Sequence, residues 1–165
     1  MLQLPATTRR NGVSGCTPSL DQFPPYGTEY VFVNHIITPA PIASLRIKPS
    51  RFPYPFTLSS SANLLTAEMT LIADDGYGAT TNNPVSHLQG DLVQIPTRYF
   101  ALDDGSITFE FVWNRIWVNR HGWYRFKVDF FYTITHQDGT TENVQVASAW
   151  TAEPFRVVTL PAQYY

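Results

Sequence analysis

The sequence predicts an all-β fold, an antiparallel sandwich with little helix, and three observations carry that expectation. From Gly122 to about Thr135 the side chains alternate. Tyr124, Phe126, Val128, Phe130, Tyr132 and Ile134 fall on one face, and Trp123, Arg125, Lys127, Asp129, Phe131 and Thr133 on the other. A period of two sustained over a dozen residues marks a strand with one buried face. The aromatic share is 15%, mainly Phe and Tyr, and such side chains fit a pleated surface better than a helix. Finally, about eight or nine strand candidates are separated by turn signals, with no convincing amphipathic helix among them.

The 165 residues fit one domain with a core of its own. Residues 1–27 read as an irregular tail, carrying Pro5, Pro18, Pro24 and Pro25 among small polar residues, and residues 28–165 as a single sandwich domain. The first strand is expected over Glu29 to Ile37, "EYVFVNHII", stopped by Pro39. "PIASLRI" follows as a second strand, and "KPSRFPYPF" as a loop or sheet edge, because proline removes ladder donors. In "NLLTAEMTLIA" Leu65, Ala67, Met69 and Leu71 share one face. β-Branched Thr66, Thr70 and Ile72 weigh against a helix there. "LQGDLVQIP" and "TRYFALDDG" are short strand candidates, the latter ending in a turn at Asp103, Asp104 and Gly105. "SITFEFVW" places Ile107, Phe109, Phe111 and Trp113 on one face. After the long strand, "HQDGTT" reads as a hairpin with Asp138-Gly139 in a type I′ turn. "ENVQVASAW" returns with Val144 and Val146 inward, and "EPFRVVTL" is the last strand.

Composition narrows function. Net charge is −2 and charged residues are 15% of the chain, so no global basic field is available for a phosphate backbone. Cys16 is the single cysteine, which leaves no intrachain disulfide and no thiolate zinc site and favours a reducing compartment. Without a signal-like leader or a long apolar run, the chain reads as soluble and intracellular, with no membrane partner. His35, His87, His121 and His136 lack ligand spacing, so no metal and no cofactor is expected. The pairs Asp74-Asp75 and Asp103-Asp104 precede glycines and are explained by turn chemistry. No catalytic residue and no small-molecule substrate is implied, and the chain reads as a non-enzyme.

One segment does concentrate candidate function. "FVWNRIWVNRHGWYRFKV", Phe111 to Val128, holds three of the four tryptophans and no acid. Its candidate contact residues for DNA or a protein partner are Arg115, Trp117, Arg120, Trp123, Arg125 and Lys127. Arg46, Lys48 and Arg51 form a second basic cluster. Cations that merely occupy the solvent face of a sheet are the favoured account of both groups. Trp117 and Trp123 also fit a carbohydrate or other ligand platform, although sheet aromatics mostly pack.

The order of motifs resembles the velvet domain of fungal regulatory proteins. The likeness runs through "TPAPIASLRI", "LLTAEMTLIADDG", "LQGDLVQ" (Leu88, Gly90, Leu92, Val93), "FEFVWNRIWVNRHGWYRFKV" (Ile116, Val118, Gly122, Tyr124, Arg125, Phe126) and "AEPFRVV" (Pro154, Phe155). It covers roughly residues 29–160. The resemblance implies an immunoglobulin-like sandwich akin to Rel-type DNA-binding domains. It implies homodimers or heterodimers with other velvet proteins, with DNA as a further partner, and regulation of development and secondary metabolism from nucleus or cytoplasm. The sequence departs from the family in three ways. The Q-Q-P sequence and basic loop of DNA-binding members are absent, Arg115 replaces the usual acid before Ile116, and the chain ends at Tyr165 where the family's domain continues. The resemblance therefore carries over fold residues rather than DNA-binding ones, and it points to a divergent, shortened member acting mainly through protein partners.

Overall fold

The structure is a computed structural model that describes residues 8–23, 31–74, 84–151 and 154–160. Within them the chain forms β1 (Thr8–Gly12), β2 (Cys16–Gln22), β3 (Val31–Phe32), β4 (Ile42–Ile47), a helical turn α1 (Leu58–Ser61) running into a 3-10 turn (Ala62–Leu64), and β5 (Leu65–Asp74). The strands continue as β6 (Pro84–Val85), β7 (Leu88–Gly90), β8 (Val93–Gln94), β9 (Arg98–Ala101), β10 (Ile107–Val112) and β11 (Ile116–Val118). The last three are β12 (Gly122–Thr135), β13 (Thr141–Thr151) and β14 (Phe155–Val158). The all-β expectation holds, with antiparallel pairing throughout except for a parallel β14–β3 contact.

The larger sheet is organised by β12. It pairs along one edge with β5, from Trp123↔Asp74 to Tyr132↔Leu65. Its other edge takes β13 along the C-terminal half and β14 along the first residues. β1 extends this sheet beyond β13, and β6 and β8 extend it beyond β5. The second sheet runs β2-β4-β10-β9, and β11 pairs with β7 in a separate two-stranded ribbon.

The core lies between the sheets, where strand alternation puts it. Ile107, Phe109 and Phe111 from β10 and Leu45 and Ile47 from β4 meet Phe126, Val128 and Phe130 from β12 and Leu65, Met69 and Leu71 from β5. Phe111 and Phe130 make an edge contact at 5.5 Å, and Phe126 stacks on Phe155 at 4.5 Å. Such ring pairs contribute about 0.5–1.5 kcal/mol each beyond the area they bury. Trp113 is fully buried, and its indole Nε1–H donates to the Leu92 carbonyl at 2.9 Å.

The proline-rich loop is held by the core and not left as a free loop. Phe52 and Tyr54 pack on the Tyr132 ring, at 5.2 and 6.2 Å. The Tyr132 hydroxyl donates to the Pro55 carbonyl at 2.7 Å and lies 3.0 Å from Ser61 Oγ.

Three expectations change. Residues 8–22, read as part of an irregular tail, form β1 and β2. In β2 the inward positions are Cys16, Pro18 and Leu20, a weak apolar set. Its proline is tolerated because β2 is an edge strand, where a missing amide breaks no second ladder. The strand expected over residues 29–37 is described only from Val31, and it stops at Phe32. Asn34 there adopts φ 61, a turn conformation that Asn accepts more readily than other residues. The hairpin at Asp138-Gly139 exists, but its turn is not type I′, since Gly139 has φ 85 while Asp138 is not positive. Gly139 N–H donates to the His136 carbonyl, and His136 N–H to the Thr140 carbonyl, the pattern of a three-residue loop with glycine in the left-handed position.

Candidate functional site

The aromatic–basic segment does not come together as one surface. Trp113 belongs to the core. Ile116 and Val118 are buried on β11, and Trp117 between them points the other way and is half-buried, opposite Gln89 on β7. Gly90 makes this ribbon possible. It sits at φ +105, and a Cβ there would stand 2.1 Å from the Arg115 carbonyl oxygen. That same carbonyl accepts the Asp91 N–H at 2.9 Å. Arg115 and Arg120 flank β11 and are exposed.

Trp123, Arg125 and Lys127 do share the outward face of β12, as the period requires, yet they are not equivalent. Arg125 is only 1% exposed, and Ile72, its register partner on β5, is 5% exposed. Both lie on the side of the sheet away from the core, so this face is covered at that point. Alternation assigns a face and cannot show what else packs on it. Arg125 has an interaction partner within the protein. It is a buried structural cation and not a contact for DNA. Lys127 Nζ lies 3.5 Å from Asp129 Oδ1. Burial raises the Asp129 carboxyl above its ordinary value, against the pull of Lys127. Half-buried Trp123 carries the Arg156 guanidinium 5.7 Å from its ring.

The second basic cluster is dispersed as well. Arg46 is exposed on β4 and pairs with Asp104, Lys48 is half-buried, and Arg51 is exposed in the following turn. The Asp104 carboxyl is held down to about 2, first by the Ser106 N–H and hydroxyl and then by Arg46.

A different surface emerges where the sequence pattern showed only two short strands. Six large apolar side chains are exposed among the described residues, and five lie within residues 93–102. They are Val93 at 57%, Ile95 at 64%, Tyr99 at 51%, Phe100 at 44% and Leu102 at 38%. Scattered exposed apolar residues are ordinary, whereas a contiguous set marks a contact surface. The segment crosses between the sheets. β8 borders β5 in the larger sheet, and β9 ends the smaller one with β10 as its one neighbour. Tyr99 pairs with Phe109 across the ladder, so its ring is on the core side, 6.1 Å from the Phe109 ring, and still half in solvent. Arg98 and Phe100 share the outer face with Glu110 and Thr108. Arg98 grips Glu110 with two bonds, at 2.8 and 3.1 Å, and lies over the Phe100 ring at 4.9 Å. The Glu110 bond, with its charge, raises the Arg98 pKa further. The signal for this site was the spelling "VQIPTRYFAL", apolar on both faces of a short strand.

Depressions also lie elsewhere on the surface. One, of about 520 Å³, crosses the outer face of the larger sheet between Asn11, Thr70, Lys127, Asp129, Gln145 and Trp150. Another, of about 300 Å³, is bounded by His121, Trp123 and Arg156. Neither brings Trp117 and Trp123 together, as a shared ligand platform would need. The histidines take separate roles: His87 Nδ1 lies 3.2 Å from the Tyr124 hydroxyl, and His136 Nε2 lies 2.9 Å from Glu142. Among the described residues no group of three His, Cys, Asp or Glu side chains is placed to hold a metal, and no helix is long and apolar enough to cross a membrane.

No protein-family model matches the chain, and no curated protein matches it either.

Proposed function

We propose that this protein is a velvet-like regulatory sandwich, immunoglobulin-like in the Rel manner, that works by binding other proteins through the β8–β9 edge. One observation carries the reading: exposed Val93, Ile95, Tyr99, Phe100 and Leu102 fall within one short segment, which includes the end strand β9. An end strand offers unpaired backbone groups, and apolar side chains beside it supply the burial that turns pairing into affinity. The motif order of the sequence supports the velvet assignment. With it come a role in fungal development and secondary metabolism and a place in nucleus or cytoplasm. Partners of the same family, as homodimer or heterodimer, follow from that assignment.

Direct DNA binding is the weaker reading. Arg125 is buried, Lys127 and Arg46 have acidic partners, and the exposed Arg115, Arg120 and Arg51 sit on separate turns. Phosphate binding needs several cations on one track and falls steeply with salt. The test sets the two readings side by side. Sedimentation with purified velvet-domain proteins, and gel shifts with duplex DNA at low salt, are run for the native chain and for Phe100→Asp. Protein association that Phe100→Asp abolishes, without a salt-sensitive shift, is expected. A salt-sensitive shift untouched by Phe100→Asp, with no protein association, overturns the proposal.

A further inference from the structure

We propose that the outer face of the larger sheet binds a neutral oligosaccharide, laid across β1, β13 and β12 against Trp150. The site does not depend on the reading given to the β8–β9 edge.

Strand pairing assembles it. Trp150 on β13 pairs with Lys127 on β12, and Lys127 pairs with Thr70 on β5. Two residues along the strands, Asn11 on β1 pairs with Ser148, and Ser148 with Asp129. Positions two apart on a strand share a face. The two rows therefore lie side by side on the face away from the core, where they line the depression of about 520 Å³.

A bulge brings in one more group. Ala147 pairs with Phe130 and Gln145 with Phe131, which leaves Val146 unmatched. Strict alternation from Ser148 would turn Gln145 into the core. With the extra residue, Val146 is buried instead and Gln145 is exposed. Gln145 Nε2 donates to Asp129 Oδ1 at 3.0 Å. A further depression of about 260 Å³ at the bulge shares Asn11, Gln145 and Ser148 with the first, so the two adjoin along a single groove.

The side-chain chemistry selects the ligand class. Among the described lining residues the charged groups are Lys127 and Asp129, 3.5 Å apart. Their charges cancel, so a polyanion finds no field to hold it. Asn11, Gln145, Thr70 and Ser148 carry amides and hydroxyls, which both donate and accept. A ligand rich in hydroxyls can satisfy them, whereas a hydrocarbon would leave them unpaired. Trp150 adds an aromatic ring for the C–H face of a sugar. The groove crosses strands, whereas a peptide adds along a sheet edge. With strands about 4.8 Å apart, the row from Asn11 to Asp129 spans roughly 10 Å, longer than one sugar ring. The floor is also set in advance. Asp129 is half-buried and held by Lys127 and Gln145, and Ser148 is 5% exposed. Groups already fixed lose little freedom on binding.

Titration of the native chain with cellohexaose, laminarihexaose, chitohexaose and mannohexaose tests the proposal, followed by calorimetry and amide NMR. Saturable binding of at least one of them is expected at millimolar concentrations, with shifts centred on Lys127, Asp129, Gln145, Ser148 and Trp150. Trp150→Ala is expected to weaken that binding about tenfold, and Trp150→Phe, which keeps a ring, by less. Gln145→Ala alters an exposed side chain that the fold does not need, and is expected to weaken it about fivefold. Phe100→Asp, on the β9 edge, is expected to leave it unchanged. Failure of all four sugars to bind the native chain overturns the proposal. So does binding that both Trp150→Ala and Gln145→Ala leave intact, or a response confined to a heparin hexasaccharide and lost with added salt.

Discussion

Trp113 and Leu92 are joined by a hydrogen bond that fixes the base of the exposed strip. The indole Nε1–H reaches the Leu92 carbonyl at 2.9 Å, and Met69 N–H donates to the same oxygen at 3.0 Å. One acceptor thus ties the end of β10 and the middle of β5 to the chain entering β8. Trp113→Phe removes the indole donor and leaves a void, for an expected loss of about 2–3 kcal/mol in urea unfolding. Faster amide exchange is expected at residues 92–95. A variant of native stability would show that the bond does not hold this segment.

Gly90 and Gly105 separate two kinds of glycine requirement. At Gly90 a Cβ collides with the Arg115 backbone, whereas at Gly105, with φ +83, nothing lies within 4 Å. Gly105→Ala is expected to cost about 1–2 kcal/mol, from the left-handed backbone alone. Gly90→Ala must in addition push β7 away from β11, so it is expected to cost clearly more and to alter Trp117 fluorescence. Equal losses would mean that the close approach at β11 is not rigid.

Much of this fold was legible because its longest strands obey a strict period. Phe109 and Phe111 on β10, Trp113 just after it, and Tyr124, Phe126, Val128 and Phe130 on β12 are buried as their spacing says. What remained illegible depended on neighbours distant in sequence. β2 carries only Cys16, Pro18 and Leu20 inward, too little to stand out beside its proline. Arg125 obeys the alternation and is nevertheless covered. The apolar run from Val93 to Leu102 was visible as letters, but its exposure follows from β9 being the last strand of its sheet, a fact of topology. The basic residues grouped by sequence were dispersed by turns and by acid partners: Asp104, which the fold brings to Arg46, and Asp129, two residues along the same face of β12 from Lys127.

Cys16 should be chemically silent in the native protein. Burial on β2 pushes its thiol up to about 12. At pH 8 that leaves a thiolate fraction of about 10⁻⁴, against roughly a quarter for an ordinary cysteine. Labelling by a disulfide reagent is expected to be slow in buffer and immediate in concentrated urea. Stoichiometric labelling of the folded chain within seconds would place Cys16 outside the core.

Asp104 makes stability depend on acid in a defined window. Its folded pKa of about 2 lies below the ordinary value of 3.8. The stabilisation is thus complete above about pH 4 and is lost as the pH falls through the folded value. Asp138, lowered by the Thr140 hydroxyl and N–H, acts in the same direction. Asp104→Asn is expected to flatten the fall in stability between pH 4 and 2, measured by urea unfolding at concentrations low enough to keep the chain monomeric. An unchanged pH profile would remove Asp104 from the account of acid sensitivity.

Amide hydrogen exchange measured with and without a purified velvet-domain protein tests the central claim most directly. If the β8–β9 edge is the contact surface, amides of the end strand β9, among them Tyr99 and Ala101, become protected when the partner is added. Protection then covers residues 93–102 and leaves residues 115–127 unchanged. Exchange at residues 93–102 that stays as fast with the partner as without it, or protection that builds instead around Trp117 and Trp123, would contradict the account.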